Sequence, residues 1–507
     1  MTLNTKWYNQ INQLKYQVNL KMKMIYKAFN FCIAMGLIGL TSLIQSFNGF
    51  SKQPLYQEIN GASNKLPLMG NRFFTFATVV RVNQIETSRT ETHGVDESTV
   101  HNPESARYFR ESVEKGWPGA KMTWAFSWLA LHDQRQNYID LRKLIVSYHH
   151  KYGDEITFLP GGFFANMYNT RKQVNQDIHD GLKKVSEMVG GGYRPKAIIA
   201  GFLAAENLDY LAKKENIHVA QGNIWSQYAV DNGDGEGSIS YPYYPSTEHF
   251  CKPAQNNKDK IDCVNLDGWT VDFMNARYPG ARFIDGIRCG SRQGVGPIET
   301  AIRQGTELGV KEMLATTSSH FEKGFELNGF AWVTCIWELS LVEAHKIHAG
   351  YKGRNGMEAM EIWFNEMRRR WPDAKAITHG EFGLIWRNHF KNNDKLNYRF
   401  VHRGSGVCGS ESENEIRWYM NKEFRLATLR DWKANTPEKL IDFTRYDLKA
   451  QEPMDPGPNQ PTRNWSLMNR LNQKGIRPED KPIDEKELNM EEKKIIKRRI
   501  PEWIMNK

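Results

Sequence analysis

Cysteine is scarce, with six in 507 residues. None forms a C-x-x-C pair and no histidine cluster accompanies them, which argues against a structural zinc site. No segment repeats at the roughly 20–50-residue periods of solenoids. No Gly-x-Ser-x-Gly elbow, P-loop or dinucleotide fingerprint sits at a strand–helix junction, so those chemistries find no support. Nor does a basic stripe interleave with aromatic residues. The net charge is +10, but the excess gathers at the ends: five Lys and no acid in the first 27 residues, and "EEKKIIKRR" close to the last. Nucleic acid is therefore not an expected partner. No cofactor and no metal is expected, and oligomeric state leaves no mark.

Long apolar runs are also missing, with one exception. "KMKMIYKAFNFCIAMGLIGLTSLIQSFNGFS" has a basic start, an apolar core from Phe29 to Ile44, and small residues at Gly49 and Ser51. That is a secretory signal pattern. Its apolar core falls short of the roughly 20 residues of a spanning helix. Residues 1–51 thus read as a basic leader plus signal peptide, with translation starting at Met22 or Met24. The expected location is secreted or periplasmic, with no stable membrane insertion once the signal is removed. Export would permit a disulfide, and "CKPAQNNKDKIDC" could close one between Cys251 and Cys263.

What is abundant is aromatic side chains, with 15 Trp, 20 Tyr and 25 Phe, and a strand-then-helix alternation. Apolar runs at 72–82, 121–131, 154–160, 194–203 and 217–225 read as strands. Helices are expected at 102–116 (Asn102 as N-cap, Pro103 at the first position), 137–153, 170–192 and 205–215. Later strands are expected at 282–288, 329–339 and 373–385, with helices at 296–310 and 356–371 between them. Seven or eight such units imply a parallel sheet covered by helices, best matched by a distorted (β/α)7–8 barrel. A doubly wound open sheet is the alternative. The barrel is bounded at 68–435, with a long inserted loop near 231–280. Residues 436–507 read as a loosely packed, polar extension.

In parallel α/β folds, chemistry gathers at the carboxyl ends of strands. There "GFLAAENLDYLAKKENI" sets Glu206 where an apolar run gives way to a helix. Together with "YHHKYGDEIT", the long helix after it and "RPKAIIAGFL", it resembles the polysaccharide deacetylase and family 57 glycoside hydrolase superfamily over Tyr138–Tyr228. The resemblance implies a distorted (β/α)7 barrel and a carbohydrate substrate. It puts Glu206 in the slot of the family 57 nucleophile, with Ala205 in place of the usual Pro. "ITHGEFGLIWRNHF" is similar to the motif of the family's general acid, but the acid's own position falls on Thr378 or His379. The paired acids and paired histidines of the metal-dependent deacetylases are absent; "VRVNQIETSRT" carries Glu86 alone.

Glycoside hydrolysis needs two carboxyl groups across the scissile bond. Glu206 is the candidate nucleophile, with a first-turn helix acid as the competing reading. Glu381 and Glu338 are the candidates for its partner: Glu381 at the end of the last expected strand beside His379, Glu338 at the end of the apolar "TCIWE". For sugar binding the candidates are His132 and Asp133 in "LALHDQRQ", Trp225 as a stacking platform, Tyr228 and Asp231 in the loop that follows, Arg288 in "RCGSRQG", and His379. "SISYPYYPSTEHF" would suit a sugar-contact wall. In "PGGFFANMY" the glycines and Asn166 suggest a loop whose backbone something approaches closely. Other readings are a catalytically degenerate carbohydrate-binding barrel and a deacetylase with an atypical site.

Overall fold

The computed structural model describes residues 66–223 apart from 88 and 90, 237–270 apart from 269, 283–284, 287–288, 305–343, 356–407, 410–457, 460–462, 465, 467 and 482–501. Contacts divide the chain into residues 1–60 and 61–507, and every described residue falls in the second unit. The signal pattern thus lies outside the described residues. Among the described residues no helix is long and apolar enough to cross a membrane.

In chain order the strands are β1 (Arg72–Val80), β2 (Asn83–Thr87), β3 (Glu91–Asp96), β4 (Thr123–Ser127), β5 (Glu155–Leu159), β6 (Ile198–Ile199), β7 (Val219–Asn223), β8 (Pro245–Ser246), β9 (His249–Pro253), β10 (Val264–Asp267), β11 (Phe283–Ile284), β12 (Ile287–Arg288), β13 (Ala331–Ile336), β14 (Lys375–Ile377), β15 (Asn397–Arg403), β16 (Asn414–Asn421), β17 (Phe424–Asp431) and β18 (Lys439–Arg445). The principal helices are α1 (Pro103–Gly116), α2 (Trp128–His132), α3 (Gln136–Tyr152), α4 (Arg171–Val189), α5 (Ala205–Lys214), α6 (Thr306–Ser319), α7 (Met357–Arg370), α8 (His379–His389) and α9 (Met490–Arg499).

The fold is mixed α/β, with parallel strands covered by helices. β1 lies between β13 and β4, and β5 continues beyond β4, all parallel. β6, β7 and β10 form a second parallel run. Side chains bridge the runs at both seams. Thr157 of β5 donates to Ala197 O (2.6 Å) just before β6, and Thr270 Oγ1, just after β10, accepts from Thr334 N of β13 (2.8 Å). The parallel strands thus form two hydrogen-bonded runs bridged by side chains, not one continuous ladder. Every residue of β4, β5, β7, β10 and β13 is buried, because both faces are covered. Around β1, Phe74 and Phe76 meet Phe364 of α7 edge-on, at ring distances of 5.1 and 4.9 Å. Such aromatic pairs add about 0.5–1.5 kcal/mol each beyond the area they bury.

Helix boundaries follow local signals. Asn102 caps α1 by accepting from Ser105 N, with Pro103 at its first position. α3 stops at Gly153, whose φ of 75° suits a residue without a side chain. Thr170 and Gln173 close a reciprocal capping box on α4.

Elsewhere the structure departs from the sequence-based expectation. The strand expected at 121–131 ends at Ser127, and α2 begins at once. The run at 282–288 is an antiparallel pair, β11–β12. The run at 373–385 has three residues of strand and then becomes α8, because Thr378 and Glu381 form a capping box. α8 plugs the amino ends of the parallel strands. His379 N donates to Thr123 Oγ1 and Gly380 N to Glu155 Oε2, at the first residues of β4 and β5. Phe382 stacks on Trp332, near the start of β13, at 4.7 Å.

The described residues beyond 396 include packed structure. β15 to β18 form an antiparallel meander, and α9 covers part of it through Ile495 and Ile496 against Phe424, Leu426 and Phe443. The boundary expected at 435–436 falls between two of its strands. Further on, Glu452 is buried, and Trp465 packs against Phe250 (5.9 Å). Cys263 is a free, buried thiol, so the loop after Cys251 is not closed by a disulfide between the two.

Candidate active site

The carboxyl ends of β1, β5 and β13 meet around one guanidinium. Arg81 follows β1 and is buried, with a side-chain exposure of 1%. Its Nε and Nη2 donate to the two carboxylate oxygens of Glu97 (2.6 and 2.7 Å). Nη2 also donates to Glu338 Oε1 (2.9 Å), and Nη1 to Gly162 O after β5 (3.2 Å). The fork geometry suits Arg and would not suit Lys. Burial works against the charge, but the Glu338 and Glu97 carboxylates outweigh it and hold the guanidinium above its ordinary range. Glu97 is sealed in at 2% side-chain exposure, whereas Glu338 reaches solvent at 24%. Of the two carboxylates on Arg81, Glu338 is the one a ligand can touch.

His101 completes the cluster. Its Nδ1 accepts from Arg81 N (2.9 Å), which puts the ring proton on Nε2, 3.4 Å from Glu97 Oε2. Burial first, and the Arg81 charge second, push it down to about 3, so the ring is neutral.

A hairpin, β2–β3, folds over this end. Glu86 of β2 accepts from Ser127 Oγ, in a short contact, and from Leu129 N (3.1 Å). These are the N-cap and second residue of α2, so Glu86 caps a helix whose N-cap lies 41 positions later. Burial pushes its carboxyl up to about 7 against those bonds. Gly161 and Gly162 make room beneath. Gly162 has φ 62°, and a Cβ there would lie 2.9 Å from Gln84 O. The close approach expected at these glycines is thus made by the hairpin. Asn166 serves the neighbouring loop, accepting from Ala204 N (2.7 Å) and donating to Asn207 Oδ1 (2.8 Å). At the hairpin tip Arg89 lies over the Trp128 ring (3.8 Å) and pairs with Asp177 and Asp180 of α4.

Glu206 is exposed in the first turn of α5, after β6, also at the carboxyl end. The buried anion at that helix start is Glu452, which accepts from Ala205 N (2.8 Å) and Phe250 N (2.9 Å) and pairs with Arg171 (3.0 Å). Burial raises its carboxyl and these partners pull it back.

Glu381 and His379 lie at the opposite end of the strands. Glu381 receives Lys121 Nζ (2.7 Å) and Thr378 N (3.2 Å). His379 is buried, bonded to Thr334 Oγ1 (3.0 Å) and pushed down to about 3 by burial. Both hold the amino-end plug in place, because the "last strand" that seemed to present them is a helix. His132 stacks on Trp128 (4.0 Å) and bonds its carbonyl (2.9 Å). Asp133 binds Arg135; burial pushes it up, but Arg135 outweighs this and leaves it below its ordinary range. Trp225, Tyr228 and Asp231 lie outside the described residues, and Arg288 is described only as backbone of β12. Tyr241, Tyr243 and Tyr244 of "SISYPYYPS" are buried core and offer no sugar-contact wall. Tyr241 bonds His320 (2.9 Å) and meets Phe400 at a tilt (4.6 Å).

Sequence reasoning singled out Glu338 and missed Arg81, Glu97 and His101. The available signal was the step from a largely apolar run, "FFTFATVV", to an Arg, followed by an acid and a His three and seven positions after the hairpin's Gly94. Among the described residues no group of three or more His, Cys, Asp and Glu is placed to hold a metal ion.

Parallel strands under helices, with Glu338 and Glu206 at their carboxyl ends, define a mixed α/β fold whose candidate site lies on the carboxyl-end face. The chain belongs to the family DUF3863, "Domain of Unknown Function with solved-structure structure", which matches residues 66–420, and residues 425–503 match DUF3864, described in the same words. A crystal structure from Parabacteroides distasonis, of a candidate glycoside hydrolase/deacetylase, shares 49% identity over 86% of this chain and 99% of its own, with a TM-score of 0.79. A GH57 branching enzyme from Thermococcus kodakaraensis is similar at 10% identity over 67% and 74%, with a TM-score of 0.38. The alpha-amylase AmyC of Thermotoga maritima is similar at 11% over 61% and 74%, with a TM-score of 0.33. These two likenesses are too distant to carry an argument. No curated protein matches.

Proposed function

We propose that the protein is a secreted glycoside hydrolase of the two-carboxylate type, acting on a polysaccharide or oligosaccharide, with Glu338 as one working carboxylate and Glu206 as the other. The observation that carries this is Glu338: a carboxylate at the end of a parallel strand, partly exposed, with one oxygen fixed by a buried Arg81. A carboxylate with one oxygen pinned and the other open can attack an anomeric carbon or activate a water without reorganising. Glu206 stands on the same carboxyl-end face and is exposed. The P. distasonis relative supports the substrate class through its description as a candidate glycoside hydrolase/deacetylase.

The test is a glycan panel assayed for reducing-end release and for acetate release. Glu338→Gln and Glu206→Gln should each lower turnover by roughly 10²–10⁴-fold while thermal unfolding stays near wild type. Full activity in Glu338→Gln rules the reading out. Acetate without sugar release would replace it with deacetylation, and binding without turnover with a degenerate barrel.

A further inference from the structure

Arg81 is fixed from every side. Its backbone N–H is taken by His101 Nδ1 (2.9 Å), and its carbonyl accepts from the buried Tyr138 hydroxyl (2.8 Å). Its guanidinium is gripped by Glu97 on two nitrogens and by Gly162 O on a third. One Nη2 direction remains, and Glu338 fills it. Two carboxylates therefore share one cation, and only one of them reaches solvent. Were Glu97 absent, the guanidinium could swing and the whole of its charge would fall on Glu338.

We propose that Glu97 is a positioning residue for Glu338, acting through Arg81. The bidentate grip sets the direction of the second Nη2 N–H, and the shared charge keeps Glu338 from being bound so tightly to Arg81 that it loses reactivity. His101 supports the grip as a neutral ring, 3.4 Å from Glu97 Oε2, and adds no second cation. Among the described residues, the titratable and charged groups facing Glu338 are Arg81 after β1, Glu97 and His101 before α1, and, across Arg81, Glu86 of the hairpin. The inference rests on Glu338 being the working carboxylate, but its test can fail separately.

The experiment is the glycan assay on the full-length protein, read as kcat and KM for Glu338→Gln, Glu97→Gln and Glu97→Asp. Glu97→Gln keeps the shape and a hydrogen bond to Arg81 and removes the charge; it should lower kcat by roughly tenfold to a hundredfold at unchanged KM. Glu97→Asp keeps the charge but is one methylene short of the two-pronged grip, and should lose kcat likewise while thermal unfolding stays near wild type. Wild-type kcat in Glu97→Asp overturns the proposal, as does a raised KM with kcat kept. Full turnover in Glu338→Gln overturns the reading beneath it instead, so the two failures are told apart. If Glu97→Gln fails to fold, Glu97→Asp alone decides.

Discussion

Glu86 shows how much one carboxyl can be asked to do. It ties the hairpin to the start of α2 through Ser127 and Leu129. Its burial raises its carboxyl from an ordinary 4.5 to about 7. In the unfolded chain the group ionises near 4.5; in the folded protein it keeps its proton until near 7. Between those values the unfolded state loses a proton that the folded state retains. Stability is therefore greatest below about pH 4.5 as far as this group is concerned, and falls as pH rises through 7. At 1.36 kcal/mol per pH unit the full effect is about 3 kcal/mol. Glu86→Gln should remove this dependence and raise stability at pH 8, as denaturant unfolding at pH 5 and pH 8 would show. An unchanged pH dependence would mean that the carboxyl is ionised in place.

At the scale of elements, the hairpin and its glycine cradle form one unit. Gly162 adopts φ 62° and leaves no space for a Cβ beneath Gln84 O. Gly162→Ala meets both penalties at once, a left-handed backbone and a clash with main chain, and should cost about 1–3 kcal/mol. The loss should be local as well as global: limited proteolysis between Asn83 and Asp96 should quicken in the variant, and an unchanged cleavage rate would separate the glycine from the hairpin. The same elements show what the sequence could disclose. β1, β4, β5 and β13 were legible because continuous apolar runs mark strands covered on both faces, and α1, α3 and α4 because Asn102, Gly153 and Thr170 mark their ends. α2 was not, since the carboxylate that caps it comes from Glu86, far upstream. α8 was misread as strand because "ITHGEFGLI" is apolar, although Thr378 and Glu381 have capping-box spacing. That misreading carried Glu381 and His379 to the wrong end of the fold. Glu338 was legible as a polar end to an apolar strand, whereas its partner Arg81 lies 257 positions away.

The whole molecule joins its two family segments more closely than their boundary suggests. The first match ends at residue 420 and the second begins at 425. β16 ends at Asn421 and β17 begins at Phe424, and the two are neighbours in one antiparallel ladder. The later segment also sends Glu452 to cap α5 and Trp465 to pack on Phe250, while Arg425 of β17 reaches back to Ser238 O (2.7 Å) from a fully buried pair with Asp442 (2.7 Å). A chain cut after residue 420 would expose β16 as an edge strand and leave α5 without its anion. It should be insoluble or aggregate, and residues 66–501 should unfold in a single calorimetric transition. Two separate transitions would show independent segments.

The seam at residues 421–424 also bears on inheritance. A crossover there between this gene and that of a diverged relative would pair a β16 from one parent with a β17 from the other, and set Ala205 and Phe250 of one lineage against the Glu452 of another. Such hybrids would begin with a mismatched ladder and a mismatched cap. The two segments are expected to travel together through recombination, as one heritable unit written in two adjoining parts.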